Sequence, residues 1–323
     1  AGACRPGPGR HGPALIHFAF ILLVGCVAAR AQTAPPVTAL VFSPDGRTLL
    51  VGSQAGVEVR SWPELKSLRT LDSELPHVAD LAFSPDGTKL AVVGGSAAES
   101  GGIEMFHWPQ GTRVERFALG EDVITSFAWN TGGGWAAGGM DGSVVVMLDG
   151  ERRRLLGHSR GVLAVCWLDD GQTLITGGLD DTLRVWNAET GQSLRTLSQH
   201  TAAVHGISLR PGPPAGALPM IASVSRDRSV RFWQPTIGRM VRFARLDEAF
   251  PLAVAWSPDG DRLIAACNDG RVRVIDPDTV QVVRNLPALE GWAYSLAVHP
   301  DGQGLAVGGS GGAVRQVVFR NEP

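Results

Sequence analysis

The sequence predicts an all-β fold, a seven-bladed β-propeller, because one short phrase recurs along the chain. FSPDG at 42–46 returns at 83–87, as WSPDG at 256–260 and as VHPDG at 298–302. With weaker copies included, the residue before the turn recurs at spacings of 41, 46, 38, 42, 47 and 42. This period, with several short strands per unit and no long helical pattern, is typical of propeller blades. The seven residues before the turns are Phe42, Phe83, Trp129, Trp167, Leu209, Trp256 and Val298.

Each copy of the phrase predicts a tight hairpin corner. In SPDG at 43–46, proline fixes φ at the first central position and glycine accepts the left-handed conformation that follows. The apolar flanks suit the first two strands of a blade. Weaker copies place Gly132 and Gly212 where Asp45 stands, and a catalytic carboxylate would not be exchanged for glycine within one chain. The phrase is therefore a building block and not a repeated site.

The strand before each corner predicts the innermost strand of a blade. A strand buried on both faces, one crowded and one roomy, is expected where blades wedge together near a narrow axis. Two residues before the corner lies a larger apolar side chain in every copy: Leu40, Leu81, Phe127, Val165, Ile207, Val254 and Leu296. One residue before it lies a smaller one: Val41, Ala82, Ala128, Cys166, Ser208, Ala255 and Ala297.

The N-terminus differs from the repeats and predicts export. Arg5 and Arg10 precede an apolar run at 14–29, and the run ends in an A-x-A site at 29–31. These are the parts of a secretory signal peptide, which we assign to residues 1–31. The run is short for a membrane span and contains a histidine, which disfavours a permanent anchor helix. A short linker at 32–36 then leads to the propeller domain, 37–323.

A second cleavage position is open within the same segment. Leu23-Val24-Gly25-Cys26 resembles a bacterial lipobox, in which Cys26 is lipidated and becomes the first mature residue. Both alternatives place the domain outside the cytoplasm, in the periplasm, outside the cell or lipid-anchored at the envelope. The only membrane attachment that we expect is this lipid anchor.

Composition fits one closed globular domain. The chain has 323 residues, a formal charge of −2 and 44% hydrophobic residues, so it has no net attraction to nucleic acid or anionic membranes. We therefore expect no nucleic-acid partner, and a monomer. Cys166 and Cys267 lie two blades apart, which predicts free buried thiols instead of a disulfide.

Blades 4 and 5 carry motifs that identify a resemblance to the WD40-repeat family, in an exported, bacterial-type form. Blade 4 contains Gly157-His158 and then TGGLDDTLRVWN at 176–187. Blade 5 contains His200 and then SVSRDRSVRFWQ at 223–234. In that family a histidine, a strand Ser or Thr, a turn Asp and a third-strand Trp form a buried hydrogen-bonded network. The resemblance implies two such networks: His158, Thr176, Asp180 and Trp186; and His200, Ser223 or Ser225, Asp227 and Trp233.

Closure of the ring is expected to be irregular. Many propellers of this kind take the outer strand of the last blade from the first segment of the chain. Here only QTAPP at 32–36 separates the predicted cleavage site from the first inner strand, and two prolines cannot donate to a ladder. We predict that blade 7 has three strands or borrows an irregular N-terminal segment.

The sequence offers no catalytic, metal-binding or cofactor-binding pattern. The histidines are scattered without metal-ligand spacing, and no P-loop, GxSxG or CxxC is present. Three residues before the corners, Asp80 is the one carboxylate among seven positions, too few for a calcium or acid–base site. We assign no catalytic residue, no metal and no cofactor.

Two groups of arginines are candidates for partner binding: Arg152, Arg153 and Arg154 after blade 3, and Arg226 and Arg228 in blade 5. Solvated outer strands and loops are the simpler explanation and the one that we favour, and the alternative is that these arginines bind an anionic protein segment or a cell-surface polymer. Two segments, 94–102 and 210–219, are predicted to enlarge turns.

We therefore predict a non-catalytic scaffold that binds a protein or cell-envelope component through its blade loops. The alternative is an extracytoplasmic propeller enzyme of the lactonase or hydrolase type. Blade 6, residues 272–283, also resembles the repeats of such periplasmic propellers.

Overall fold

The computed structural model describes residues 34–212 and 216–319. The chain divides into two units, residues 1–32 and 33–323, and the described residues all belong to the second. The predicted signal peptide at 1–31 and the lipidation site Cys26 lie outside the described residues, so both stay predictions. Among the described residues, no helix is long and apolar enough to cross a bilayer.

Seven antiparallel sheets follow one another along the described chain. Blades 1 to 3 contain β1 (Val37–Phe42), β2 (Thr48–Ser53), β3 (Gly56–Ser61), β4 (Ser67–Leu71), β5 (Val78–Phe83), β6 (Lys89–Ser96), β7 (Ser100–His107), β8 (Thr112–Gly120), β9 (Ile124–Trp129), β10 (Trp135–Gly139), β11 (Val144–Leu148) and β12 (Glu151–Leu155). Blades 4 and 5 contain β13 (Val162–Trp167), β14 (Thr173–Gly178), β15 (Leu183–Asn187), β16 (Ser193–Leu197), β17 (Val204–Leu209), β18 (Ile221–Ser225), β19 (Ser229–Gln234) and β20 (Arg239–Arg245). Blades 6 and 7 contain β21 (Pro251–Trp256), β22 (Leu263–Cys267), β23 (Arg271–Ile275), β24 (Val282–Pro287), β25 (Ala293–Val298), β26 (Gly304–Gly309) and β27 (Val314–Val318).

Each blade is a meander in which consecutive strands pair. The first strand of every blade contacts the first strand of the next, and β25 contacts β1, so the inner strands close a ring. Two short 3-10 helices, Pro235–Ile237 and Ser310–Gly312, lie in turns. The predicted seven-bladed propeller is confirmed.

Blade 7 has three strands, β25, β26 and β27, as the sequence predicts. The seam between the last and first blades therefore depends on side chains and on β1 packing against β25. His299 Nε2 lies 3.0 Å from the carbonyl oxygen of Gly46, and the His299 ring packs edge-on against Phe42 with centroids 4.9 Å apart. Residues from two ends of the described chain thus meet without a shared strand.

The recurring corner is fixed by its own side chains. Ser43 Oγ donates to Asp45 Oδ1 at 2.6 Å and accepts the Thr48 N–H at 3.0 Å, while Gly46 has a φ of 71°. The Ser84 hydroxyl bonds Asp86 in the same way, and hydrogen bonds from Ser84 and Thr88 lower the pKa of Asp86 to about 2. The aspartate is used by the hairpin itself, as the building-block interpretation requires.

The inner strands are wedged between neighbouring blades. The indole N–H of Trp129 donates to the Ala82 carbonyl oxygen of the preceding blade at 3.1 Å, and Trp167 bonds Ala128 at the same distance. The small residues Ala82 and Ala128 therefore leave space for the next blade's tryptophan to reach the strand backbone, and Ser208 does the same for Trp256. This contact rigidifies the ring near its axis.

Two smaller predictions have clear outcomes. Cys166 and Cys267 are free and buried, and burial raises the pKa of their thiols to about 12 and about 11. The prediction for residues 94–102 is wrong in part, because they are mostly a hairpin extension in which Gly94 pairs with Gly102 and Gly95 with Gly101. Glycines with no Cβ let these two strands continue to Ser96 and Ser100.

Candidate partner-binding face

The meander gives the propeller two faces with different turns. The Ser-Pro-Asp-Gly corners and the turns between third and fourth strands form the lower face. The turns between second and third strands, together with the loops that lead into each inner strand, form the upper face. His158, Asp180, Arg226 and Arg228 all lie in upper-face turns or loops.

In blade 4, the predicted network forms a continuous chain of hydrogen bonds. His158 Nδ1 lies 2.9 Å from the Asp180 carboxylate, and His158 Nε2 lies 2.7 Å from Thr176 Oγ1. The Trp186 indole N–H donates to Thr176 Oγ1 at 2.9 Å. Every polar atom has a partner if His158 is neutral, with its Nδ1–H donating to Asp180 and its Nε2 accepting the threonine proton. Burial lowers the pKa of His158, and the hydrogen bond to Asp180 offsets this only in part.

Blade 5 repeats the arrangement with a serine. His200 Nδ1 lies 2.7 Å from Asp227, His200 Nε2 lies 2.7 Å from Ser223 Oγ, and the Trp233 indole N–H donates to Ser223 at 2.8 Å. Ser225 donates instead to the Ala202 carbonyl oxygen at 2.8 Å. The structure therefore selects Ser223 from the two serines that the sequence left open.

The charges of the blade 5 pair follow from its surroundings. Burial lowers the pKa of His200 and favours the neutral ring. Burial opposes ionisation of Asp227, but hydrogen bonds from His200 and Ser229 outweigh it and hold the pKa of that carboxyl far below its usual range. Asp227 also accepts the Thr201 N–H at 3.2 Å. The network thus holds an upper-face loop against the blade, and its polar groups are hydrogen-bonded to one another.

The turn aspartates of two other blades bond arginines instead of histidines. Asp141 in blade 3 accepts from Arg154 and from the Ser143 hydroxyl. Asp269 in blade 6 accepts from Arg273, whose Nη2 lies 2.7 Å away. An aspartate at this turn is therefore satisfied locally in each case, as a half-buried carboxylate requires.

The two predicted arginine groups lie on different parts of the surface. Arg152, Arg153 and Arg154 are on β12, the outer strand of blade 3, and Arg153 donates to the Ala188 carbonyl oxygen at 3.0 Å. Arg226 and Arg228 lie in the upper-face turn between β18 and β19, where Arg228 donates to the Asp247 carbonyl oxygen at 3.2 Å. The structure does not bring the two groups together into one basic patch.

Beside Arg226 runs a row of rings that the sequence analysis missed. We define the aromatic strip as His205, Phe250, Trp292 and Tyr294. His205 stacks on Phe250 with centroids 6.4 Å apart, Phe250 meets Trp292 edge-on at 5.7 Å, and Trp292 lies 5.9 Å from Tyr294. The Arg226 guanidinium lies over Phe250 at 5.5 Å. The strip crosses from blade 5 to blade 7, and Trp292 is 41% exposed.

A channel at the propeller axis opens beside the strip. Its cavity of about 340 Å³ is lined by inner-strand residues that include Asp80, His205 and Tyr294. Asp80 accepts the Leu81 N–H at 2.8 Å and the Phe127 N–H at 2.9 Å, and burial raises its pKa to about 6. Among the described residues, His205 Nε2 is buried and has no hydrogen-bond partner, and burial lowers the pKa of His205.

Side chains of the types that hold metals are dispersed. Across residues 34–212 and 216–319, no group of three or more His, Cys, Asp or Glu side chains could hold a metal ion. What the upper face does provide is a rigid surface with an exposed indole, a phenol and a guanidinium. Tyrosine, tryptophan and arginine are the residues enriched at the energetic centres of protein interfaces.

Comparison with known proteins shows which repeat these blades contain. The family profile described as "WD domain, G-beta repeat" matches residues 26–57, 150–187, 191–234 and 248–276. Its matches include both hydrogen-bonded networks of blades 4 and 5.

Several curated relatives share the repeats over part of the chain. "Protein HIR1" of Mycosarcoma maydis is 29% identical over 175 residues, which cover 52% of this chain and 16% of that protein. "Protein FIZZY-RELATED 3" of Arabidopsis thaliana is 28% identical over 158 residues, 48% of this chain and 32% of that protein. "GID complex subunit 7" of Schizosaccharomyces pombe is 26% identical over 207 residues, 61% of this chain and 39% of that protein. The chain thus spans well under half the length of these fungal and plant relatives, and the bacterial-type expectation stays a prediction.

Proposed function

We propose that this chain, a seven-bladed β-propeller of WD40 repeats, is a non-catalytic scaffold that binds a protein partner through its upper face. The observation that carries the proposal is the aromatic strip with Arg226 above it. An exposed tryptophan and a guanidinium on a face held by two buried networks form a surface suited to recognition.

Rigidity of this face favours binding. The His158 and His200 networks fix the loops of blades 4 and 5 before any partner arrives. A preordered surface avoids about 0.5–1.5 kcal/mol of ordering cost for each side chain that would otherwise be immobilised on binding. The scaffold therefore retains more of its contact energy as affinity.

Charge defines the partner's chemistry. Arg226 is exposed and has no ion-pair partner among the described residues, and its guanidinium lies over the Phe250 ring. The surface suits a protein segment that places a carboxylate beside an apolar or aromatic side chain. The name of the fission-yeast relative, a complex subunit, fits an assembly role of this kind.

We further propose that the domain acts outside the cytoplasm as a monomer. The support is the basic start, apolar run and A-x-A site within residues 1–31, together with the lipobox-like stretch that ends at Cys26. Mass spectrometry of the mature N-terminus tests this proposal. A first residue at 32 supports secretion, a lipidated Cys26 supports an anchored form, and an intact segment 1–31 contradicts export.

The binding proposal is tested by comparative pull-down from an envelope extract. Arg226→Glu and Trp292→Ala should each reduce recovery of the partner by about tenfold, since hot-spot truncations typically cost more than 1 kcal/mol. Arg239→Glu is the matched control, because Arg239 is an exposed arginine at the lower-face end of β20 in the same blade. Equal recovery with all three variants would contradict the assignment to the upper face.

A further inference from the structure

The last blade has an open edge. β27 pairs with β26 on one side, and no strand of the described residues pairs with its other side. A groove of about 690 Å³ lies beside it, lined by Arg315, Gln316 and Val317 of β27 and by residues 287–290 at the end of blade 6's outer strand. An unpaired strand edge presents a row of backbone donors and acceptors that can accept a further strand.

The other blades show what normally covers this edge. Val272 in blade 6 lies opposite Leu286 of the outer strand, and Val57 in blade 1 lies opposite Leu71. In four blades a fully buried residue of the third strand faces a buried aliphatic residue of the fourth: Val57 with Leu71, Val144 with Leu155, Leu183 with Leu197, and Val230 with Ala244. In blade 6 the buried Val272 faces the partly buried Leu286. Val314 holds this position in blade 7 by its pairing with Gly308, and without a fourth strand it is only half-buried.

The next residue, Arg315, lacks the acidic partner that two of its counterparts have, whereas the blade 4 counterpart, Arg184, lies over the Trp186 ring at 5.9 Å. Four residues after the turn aspartate, blade 6 has Arg273, whose Nη2 lies 2.7 Å from Asp269. Blade 5 has Arg231, 3.5 Å from Asp227. Blade 7 has Gly311 at the position of that aspartate, so Arg315 is exposed and has no ion pair among the described residues.

Val314 lacks a covering strand and Arg315 lacks an acidic partner. We therefore propose that the free edge of β27 binds an extended segment of a partner protein, which pairs antiparallel to β27 as the fourth strand of blade 7. The register of the other blades sets its sequence. In blade 6 the residue opposite Arg273 is Asn285 and the residue opposite Val272 is Leu286, so the two are adjacent. The segment therefore has an acidic residue immediately before a leucine, the carboxylate facing Arg315 and the leucine covering Val314. This surface adjoins the aromatic strip at Ser310, whose hydroxyl oxygen accepts the Trp292 N–H at 3.1 Å, but it uses different side chains and adds a second binding site.

Charge selects a partner protein over the other possible occupants. A second copy of β27 would bring two Arg315 guanidinium groups to one edge, which is unfavourable. The chain's own segment ahead of the first strand, residues 26–33, reads CVAARAQT and contains neither an acidic residue nor a leucine. Strand addition to an exposed edge, with affinity from the backbone and specificity from alternate side chains, is an established mode of peptide recognition.

The test is fluorescence anisotropy of the full chain with the labelled peptide Gln-Val-Val-Arg-Glu-Leu-Pro. This peptide is the outer strand of blade 6, residues 281–287, with Asn285→Glu. We expect Arg315→Glu to weaken its binding by about five- to tenfold, the size of effect expected when an exposed ion pair becomes a like-charge pair. Placing arginine at the glutamate position of the peptide should restore binding to that variant. Arg239→Glu should bind like the unaltered chain, and so should the upper-face variant Arg226→Glu.

Two outcomes would overturn the proposal. One is equal binding of the glutamate peptide to the unaltered chain and to Arg315→Glu, or no recovery with the arginine peptide. The other comes from hydrogen exchange of the full chain: those amides of Val314–Val318 that do not donate to β26 should slow only when the peptide is added. If they are already slow without it, a segment of the chain itself or a second copy covers the edge. Because Arg226 is in blade 5 and does not line the groove, Arg226→Glu leaves this site intact, and failure of upper-face binding and failure of strand addition are distinguishable.

Discussion

The indole N–H of Trp233 donates to the Ser223 hydroxyl oxygen at 2.8 Å, and both side chains are fully buried. Because Ser223 also bonds His200, which in turn bonds Asp227, this one contact connects the third strand of blade 5 to an upper-face loop. Removal of the indole would leave both a large void and unpaired polar atoms.

We therefore expect Trp233→Ala to lower the free energy of unfolding by about 3–5 kcal/mol. Trp233→Phe is the control that keeps most of the volume and loses the hydrogen bond, and it should cost less. Urea unfolding measures both. A loss below about 1 kcal/mol for the alanine variant would mean that the network does not hold blade 5 together.

The two serines of β18 should differ spectroscopically. Ser223→Ala removes the acceptor of the Trp233 indole proton, so the NMR resonance of that proton should shift strongly. Ser225→Ala should leave it nearly unchanged, because Ser225 donates to the Ala202 carbonyl oxygen. If instead Ser225→Ala moved the indole resonance more, the assignment of Ser223 to the network would be incorrect.

Stability should fall in mildly acidic solution because of the buried histidines. Burial lowers the pKa of His158 and His200 in the folded state, whereas unfolded histidine has a pKa of about 6.5. The unfolded chain therefore binds more protons as the pH falls, so their contribution is complete above about pH 6.5 and is lost below it. Asp80 acts in the opposite direction, since its raised pKa favours the folded state as the pH falls through about 6.

Comparison with His200→Gln isolates the histidine effect, because Asp80 is present in both proteins. The free energy of unfolding of the variant should depend less steeply on pH between about 7 and 5. Parallel pH profiles for the variant and the unaltered chain would contradict a neutral His200 in the folded state.

Two aspartates should titrate far apart. Asp80 lies in the axial channel with a pKa raised to about 6 by burial, whereas hydrogen bonds from Ser84 and Thr88 lower that of Asp86 to about 2. Carboxyl carbon NMR of aspartate-labelled protein should show one resonance titrating near 6, which Asp80→Asn removes. Titration of every aspartate below about pH 4.5 would rule out a desolvated Asp80.

The features that could be predicted from the sequence are those determined by residues close together in the chain. Residues 43–46 form the same corner wherever they recur, because serine and aspartate bond within the turn itself. Pro35 and Pro36 predicted a three-stranded last blade, since neither has an N–H for a ladder. Ser223 and Ser225 could not be separated, because residues two apart face the same side of a strand.

The aromatic strip could not be predicted in this way. Phe250 precedes one inner strand and Trp292 another, 42 positions apart in the chain, and only ring closure brings them to 5.7 Å. The sequence did carry an indication of the strip. In blades 5 and 7 the position four residues before the corner is occupied by His205 and Tyr294, and Tyr294 is the chain's single tyrosine. The adjacent position, three residues before the corner, carries Asp80 and no aromatic residue in any blade.

If a protein partner binds the upper face at the aromatic strip, as we propose, it should lie within cross-linking distance of residue 292. The most direct test replaces Trp292 with the photo-cross-linking residue benzoylphenylalanine in the full chain, with the same replacement at Ile237 as the control. Ile237 is 48% exposed and lies in a lower-face turn, so it samples the opposite surface at similar accessibility. We expect a discrete protein adduct from position 292 that is absent from position 237. No adduct at 292, or the same adducts at both positions, would contradict it.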